Sequence, residues 1–323
     1  MGKSKKRTAM QTKKQADLRF YCIMMALPVA QFCLMWIGTN FNSILLAFKQ
    51  YDTNMDFAWS VANFIRVFKN LVSDAGVQKS LLTSLGLWAS TQVLTMPVSL
   101  LISYYFYKNF MGSKVFRNIF FIPSVVSGVV TVTIFYYLVD RGYPLLMKTL
   151  FDKEVVGLLV NNQTQLAVII FYNIFYALVG GFLFYSSAMC GIDESISEAA
   201  QIDGATNMQE FRYVTLPMIF PTVSVFLVSS TATIFTGDFS LYAFFKTAGT
   251  TNLTTMGYYF VQGLTTWGDR EYPYFAALGL VLTLFACMII FPLRALVNRF
   301  DPMRDADGAI AAKKQKRKKG GEK

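Results

Sequence analysis

Histidine is absent from the 323 residues. That excludes Ser-His-Asp catalysis, histidine metal sites and any other imidazole chemistry. Cysteine is scarce. Cys22, Cys33, Cys190 and Cys287 each lie in or beside an apolar run, without metal-ligand spacing, and read as small hydrophobes rather than a disulfide framework. No G-x-x-x-x-G-K-[ST] occurs, so no P-loop is present to cradle nucleotide phosphates. Charge is short as well: 15% of residues are charged, against roughly 25% in a soluble domain. A soluble protein of this length needs more polar surface than that to cover its core. Lipid removes the need, and composition alone points to a membrane.

What the chain has is apolar length: 54% of it is hydrophobic, 16% aromatic, and mean hydropathy is +0.40. Six runs carry no charge: Phe20–Phe48, Ser80–Tyr107, Asn118–Val139, Val155–Ile192, Tyr213–Gly237 and Tyr272–Leu293. Each can hold the roughly 20 residues that span a bilayer core. Backbone groups in lipid must be satisfied within the segment, so the runs are expected to be helices. The expected fold is all-α and polytopic, with spans near 20–42, 82–106, 118–139, 165–189, 218–240 and 274–297. Pro28, Pro97, Pro123, Pro221 and Pro292 fall inside five of them and predict local kinks.

The net charge of +11 is concentrated at the two ends and in the short loop after the second span. That distribution places both termini in the cytoplasm. It divides the chain into a basic tail (1–17), a transmembrane domain (18–300) and a second basic tail (301–323). The Lys313–Lys319 run reads as a solvated tail or a contact for anionic lipid rather than a nucleic-acid site. The apolar run after the first tail is too long for a signal peptide and reads as a retained anchor.

One inner loop breaks the charge trend. Residues 192–217 carry only Arg212 against Asp193, Glu194, Glu198, Asp203 and Glu210. Asp193 or Ser195 can cap a helix start. Glu198-Ala199-Ala200 fall within one turn of good helix former, and Gly204 can end or bend that helix. A second amphipathic stretch, Met208–Val214, leads to Leu216-Pro217, where proline suits the first turn of a new helix. The residues alone leave two readings open: an ordinary structured connection, or two short helices offering a low-profile docking surface with a carboxylate anchor.

The segment resembles the EAA loop of bacterial ABC-importer permeases. That pattern sets E-A-A, three residues, G, nine residues, then an apolar residue, any residue and L-P. The matching positions are Glu198, Ala199, Ala200, Gly204, Val214, Leu216 and Pro217, with Val214 where the family has isoleucine. Phe116–Pro123, Ile202-Asp203-Gly204-Ala205 and Thr215-Leu216-Pro217 are similar to the carbohydrate branch of that family. The resemblance implies a cytoplasmic coupling-helix loop in a six-span permease of the cell membrane. It implies a sister permease as a heterodimer partner, two cytosolic ATPase subunits and an extracytoplasmic solute-binding protein. The chain itself would hold no cofactor or metal and would not be an enzyme. Within the loop, Glu198, Ala199, Ala200, Asp203, Gly204, Phe211, Leu216 and Pro217 would carry coupling to the ATPase.

For the substrate path, the fourth span offers Tyr172, Asn173 and Tyr176, with Tyr185 further on; the fifth offers Ser230, Thr233 and Asp238. Asn173 and Tyr176 share a helix face. Packing of the tyrosines, and self-bonding of the hydroxyls to their own helix, are the competing reading. Apart from Arg117 and Arg294 near the inner ends, the spans lack Lys and Arg, which favours a neutral saccharide. A permease for another solute, such as a phosphorylated polyol, stays open. A membrane-embedded enzyme is remote, because almost no carboxylate lies within the spans. The Thr- and Tyr-bearing segment Lys246–Gln262 reads either as a contact for the binding protein or as a plain loop.

Overall fold

The computed structural model describes residues 2–51, 56–245 and 253–301, with side chains from residue 17 onward. The basic tail after 301 and the stretch 246–252 lie outside the described residues. The chain divides into two compact units, one drawn from Met1–Phe68 and Asp269–Val281, the other from Lys69–Gly268 and Leu282–Lys323.

In chain order the helices are α1 (Gly2–Gln31), α2 (Gly38–Ala47), α3 (Ala62–Ser73), α4 (Ala75–Tyr107), α5 (Ser113–Val125), α6 (Gly128–Tyr137), α7 (Tyr143–Phe151), α8 (Gln165–Cys190), α9 (Glu194–Ile202), α10 (Asn207–Glu210), α11 (Leu216–Ala232), α12 (Leu241–Phe245), α13 (Met256–Thr266) and α14 (Tyr272–Arg299). A π turn, Phe32–Ile37, joins α1 to α2. The strands β1 (Lys49–Tyr51) and β2 (Phe57–Trp59) form a small antiparallel hairpin, with Gln50 opposite Ala58. Helix dominates, as the charge-free runs require. Among the described residues, five helical stretches are long and apolar enough to cross a membrane: Asp17–Ala47, Ala75–Tyr107, Gln165–Cys190, Asn207–Ala232 and Asp269–Arg299.

The third expected span is not one straight helix. Ser113–Val125 and Gly128–Phe151 meet at 101°. Pro123 removes a ladder hydrogen bond near the end of α5, and Val126 and Ser127 then run extended, with ψ of 137° and 135°. The other in-helix prolines leave their helices continuous. Several boundaries also move. The first helix already begins at Gly2, so most of the expected tail 1–17 is helical backbone. The fifth span ends at Ala232, eight residues before the expected 240, where residues 233–236 form turns.

In the first unit, Asn63 closes the end of α2: its Nδ2 donates to the carbonyls of Ala47 at 3.3 Å and Lys49 at 2.7 Å. Arg66 pairs with Glu271 at 2.7 Å and stacks over Tyr274.

The second unit is built on α4 against α8. One face of α4 is small and polar, with Ser80, Ser84, Thr91, Thr95, Ser99 and Ser103 all buried. A Cβ at Gly181 of α8 would stand 2.9 Å from Ser99 Oγ, and the Ser103 hydroxyl reaches the carbonyls of Ser99 (2.6 Å) and Phe182 (3.0 Å). Small residues let two backbones approach where lipid supplies no hydrophobic drive. Two apolar clusters flank this contact. One gathers Leu87, Val132, Ile169, Tyr172, Phe244 and Tyr258. The other gathers Leu100, Tyr104, Tyr185, Met189, Phe211 and Ile219, beneath α9 and α10.

Candidate functional site

Residues 193–217 are held by local backbone chemistry. Asp193 caps α9: its Oδ1 accepts from the Ser195 amide at 3.0 Å and the Ser195 hydroxyl at 2.8 Å. The same bonds, the hydroxyl foremost, hold its carboxyl below the ordinary value. At the other end Gly204 has φ +80°, its N–H donates to Gln201 O at 3.0 Å, and the Ala205 N–H donates to Ala200 O at 3.0 Å. This pair of bonds is a Schellman closure, which demands a left-handed residue at that position. A Cβ there meets nothing within 4 Å, so the demand is conformational rather than steric. Thr206 then opens α10 with a capping box. Its amide donates to Gln209 Oε1 at 2.8 Å, and its Oγ1 accepts from the Gln209 amide at 3.4 Å.

From α10 the helix runs on. A π turn, Phe211–Thr215, joins α10 to α11, so Pro217 sits in the first turn of α11 but not at the start of a separate helix. The widened turn relieves the clash between a proline ring and the carbonyl four residues back.

The loop residues divide into two faces. Glu198, Ala199, Asp203 and Gly204 are exposed, and Ala200 is half-buried. Around them Ile202 is 86% exposed, Met208 63% and Tyr213 69%. Among the described residues Glu198 has no ionic partner. Phe211 points inward, its ring 5.0 Å from that of Tyr104, and Leu216 packs against the same cluster. Pro217 is half-buried.

The inward face holds a group that the sequence did not single out. Glu210 is 1% exposed. Its Oε1 meets Lys108 Nζ at 2.5 Å and accepts from Ser197 Oγ at 2.8 Å, while Lys108 Nζ also donates to Ser197 Oγ at 2.6 Å. The Tyr104 hydroxyl donates to the Asn207 carbonyl at 2.9 Å. These bonds fasten α9 and α10 to the last turn of α4. In the sequence Lys108 counted only toward topology, and Glu210 only as one of the loop's five acids. The available signal was an acid amid the apolar positions of a second helix, with a lysine just past a charge-free run.

The span residues behave differently. Tyr172 is buried, stacked on Tyr176 with centroids 5.9 Å apart and packed edge-on against Phe244. Asn173 Nδ2 donates to Ile169 O at 2.9 Å and Phe239 O at 3.1 Å, tying α8 to a loop where Phe239 and Ser240 have positive φ. Tyr176 is 42% exposed, and its hydroxyl lies beside Gly128 at the break in the third span. The apolar cleft there, of about 240 Å³, is lined by Pro123, Phe135, Tyr172 and Phe175 among others. Ser230 donates to Leu227 O at 2.9 Å and Thr233 to Ser230 O at 2.9 Å. Asp238 lies beyond the end of α11, where its Oδ1 accepts from the Ser240 amide at 3.1 Å. Tyr172, Asn173 and Tyr176 are therefore drawn together, while Ser230, Thr233 and Asp238 serve their own local backbone. All four cysteines are free thiols. Among the described residues no group of three Cys, Asp or Glu side chains forms a metal site.

Known proteins share this architecture. Residues 95–304 match the family described as "Binding-protein-dependent transport system inner membrane component". The inner membrane ABC transporter permease protein YcjO of Escherichia coli (strain K12) is 24% identical over 243 residues, covering 74% of this chain and 79% of that protein. The arabinooligosaccharides transport system permease protein AraP of Bacillus subtilis (strain 168) is 28% identical over 217 residues, covering 62% and 64%. A chain in the crystal structure of a bacterial alginate ABC transporter, in complex with an alginate pentasaccharide-bound periplasmic protein, aligns with a TM-score of 0.69 at 20% identity. It covers 90% of this chain and 98% of that one, which shows a common fold. This all-α, multi-pass membrane chain belongs to the family of binding-protein-dependent transport system inner membrane components.

Proposed function

We propose that the chain is the permease subunit of an ATP-driven importer for a sugar or oligosaccharide. The observation that carries the reading is the two-faced loop: a backbone fixed by caps at both ends of α9 presents Glu198, Ala199 and Gly204 outward and anchors Phe211 and Leu216 inward. A rigid, low-profile surface with one carboxylate and exposed apolar side chains suits a partner that pushes on it. The chain has no P-loop, so ATP is hydrolysed elsewhere. Two cytosolic ATPase subunits dock on 192–217, a sister permease completes the pathway, and an extracytoplasmic binding protein delivers the cargo. Lys and Arg at both ends of the chain support cytoplasmic termini. The residues 18–300 form the permease domain between two basic tails.

Sugar as cargo rests on the relatives named for oligosaccharide transport and on Tyr172, Asn173 and Tyr176 sharing one helix. The decisive experiment reconstitutes the permease with its sister permease, ATPases and binding protein, then measures ATP-dependent uptake from a panel of labelled neutral and acidic oligosaccharides and a phosphorylated polyol. Uptake of a saccharide is expected. Uptake of the polyol alone would remove the sugar reading and leave the permease reading intact.

A further inference from the structure

We propose that the inward-facing triad of Lys108, Ser197 and Glu210 is the link that makes the 193–210 loop and α4 move as one body when the ATPase pushes on α9. The proposal rests on the reading of the loop as the docking site.

Three elements contribute one residue each. Lys108 closes α4, Ser197 lies on the inward face of α9, and Glu210 ends α10. Ser197 is the neighbour of the outward-facing Glu198, so a load on the exposed face of α9 reaches the triad within one turn. The left-handed Gly204 folds the chain back, which lets Ser197 and Glu210 meet across thirteen positions.

Stability does not explain such a group. Burying two opposite charges is costly, and apolar residues of similar volume usually pack as well or better. The cost is not even fully offset here: among the described residues Glu210 Oε2 is buried and accepts no hydrogen bond. What a buried pair does supply is one permitted arrangement, because sliding either element leaves a charge unpaired in a dry site. Lys108 also sits at the negative end of the α4 dipole, which favours a cation there. Because α4 packs most intimately against α8 through Ser99, Ser103 and Gly181, a displacement of α4 carries the Tyr172–Tyr176 face with it. Without the triad, load on the loop still reaches the membrane along the chain into α8 and α11, but its charged tie to the end of α4 is lost and only the Tyr104 contacts remain there.

The test uses the assembled transporter, with its ATPases, in lipid vesicles. Spin labels replace Met111 and Ile202, which are 97% and 86% exposed, in a background without the native cysteines. The interlabel distance is measured without nucleotide and with ATP plus vanadate. The native triad is expected to give the same distance in both states. K108M/E210M removes both charges at similar volume and is expected to let the distance shift between states by about 5 Å, on the order of one helical turn. The charge swap K108E/E210K is expected to restore the fixed distance. A locked distance in K108M/E210M, or no restoration by the swap, overturns the proposal. Ser197→Ala keeps both charges and serves where the double variants fail to assemble: broadened distances are expected, and unchanged widths overturn the proposal. The label at Ile202 tests the underlying reading separately, since its spectrum should immobilise when the ATPases bind. A mobile label removes the docking reading itself; an immobilised label with an unlocked native distance removes only the triad.

Discussion

Ser197, in the loop, gives its hydroxyl to a residue thirteen positions away, whereas Ser230, in α11, gives its own to Leu227, three positions back. The contrast runs through both regions. Around 193–217 the caps are local, but the inward-facing polar side chains connect elements: Ser197 to α10, Lys108 to α9 and α10, and the Tyr104 hydroxyl to Asn207. Along α11 they satisfy the helix that carries them. The difference teaches where load can travel. A hydrogen bond within one helix leaves that helix free to slide or turn, while a bond between elements fixes their register.

Gly204→Val should break the first region most severely. A β-branched residue at φ +80° carries roughly 1–2 kcal/mol of strain, and opening the Schellman closure displaces α9. Uptake is expected to fall by about tenfold or more while ATP hydrolysis continues, measured side by side in vesicles; undiminished uptake would refute the docking role. Gly204→Asn should retain most uptake, since asparagine tolerates the left-handed region.

Next in size is the close contact between α4 and α8, the helices that flank both regions. Gly181→Val should lower the thermal stability of the purified complex by about 1–3 kcal/mol, because the added carbons meet Ser99. Gly180→Ala is the control: a Cβ there meets nothing within 4 Å and should cost little.

A smaller effect separates the two groups of span residues. The double substitution Ser230→Ala, Thr233→Ala should leave uptake within about twofold, as self-bonded hydroxyls are worth little to the rest of the protein. Tyr176→Ala should reduce uptake more than that pair does. Equal or reversed effects would move the path from α8 to α11.

The smallest effect is a pH dependence at the start of α9. The Asp193 carboxyl is held below its ordinary 3.8 by Ser195. Its capping contribution is therefore present above that ordinary value and is lost as pH falls through the lowered one. The protection of the Ser195 amide against exchange, relative to its intrinsic rate at each pH, should fall only in that acidic window, and an Asp193→Asn variant should lack the transition.

How much of this was legible beforehand depended on the range of the physics involved. The caps at Asp193 and Gly204 follow from neighbours a few residues apart, and the sequence offered Asp193 or Ser195 for the first and Gly204 for the second. The span count followed from hydropathy, since lipid acts on each segment alone. The 101° break was only half legible: Pro123 marked the place, but nothing local sets the size of a bend. The fifth span was drawn too long because Thr233–Gly237 carry no charge, yet the chain turns there to place Phe239 and Ser240 at positive φ under Asn173. Glu210 and Lys108 were invisible as a pair, since two charges distant in sequence announce nothing about each other until the fold joins them.

The π turn at Phe211–Thr215 gives the loop and the span it feeds a phase relation. Each residue advances an α-helix by about 100°. Shortening that turn by one residue would restore a regular ladder, yet it would swing everything upstream by about that angle around the α11 axis. The extra residue thus acts like an index mark on a shaft. It sets which way α9 faces when α11 is seated in the bilayer, and a deletion there should be felt as a misaimed loop rather than as an unstable helix.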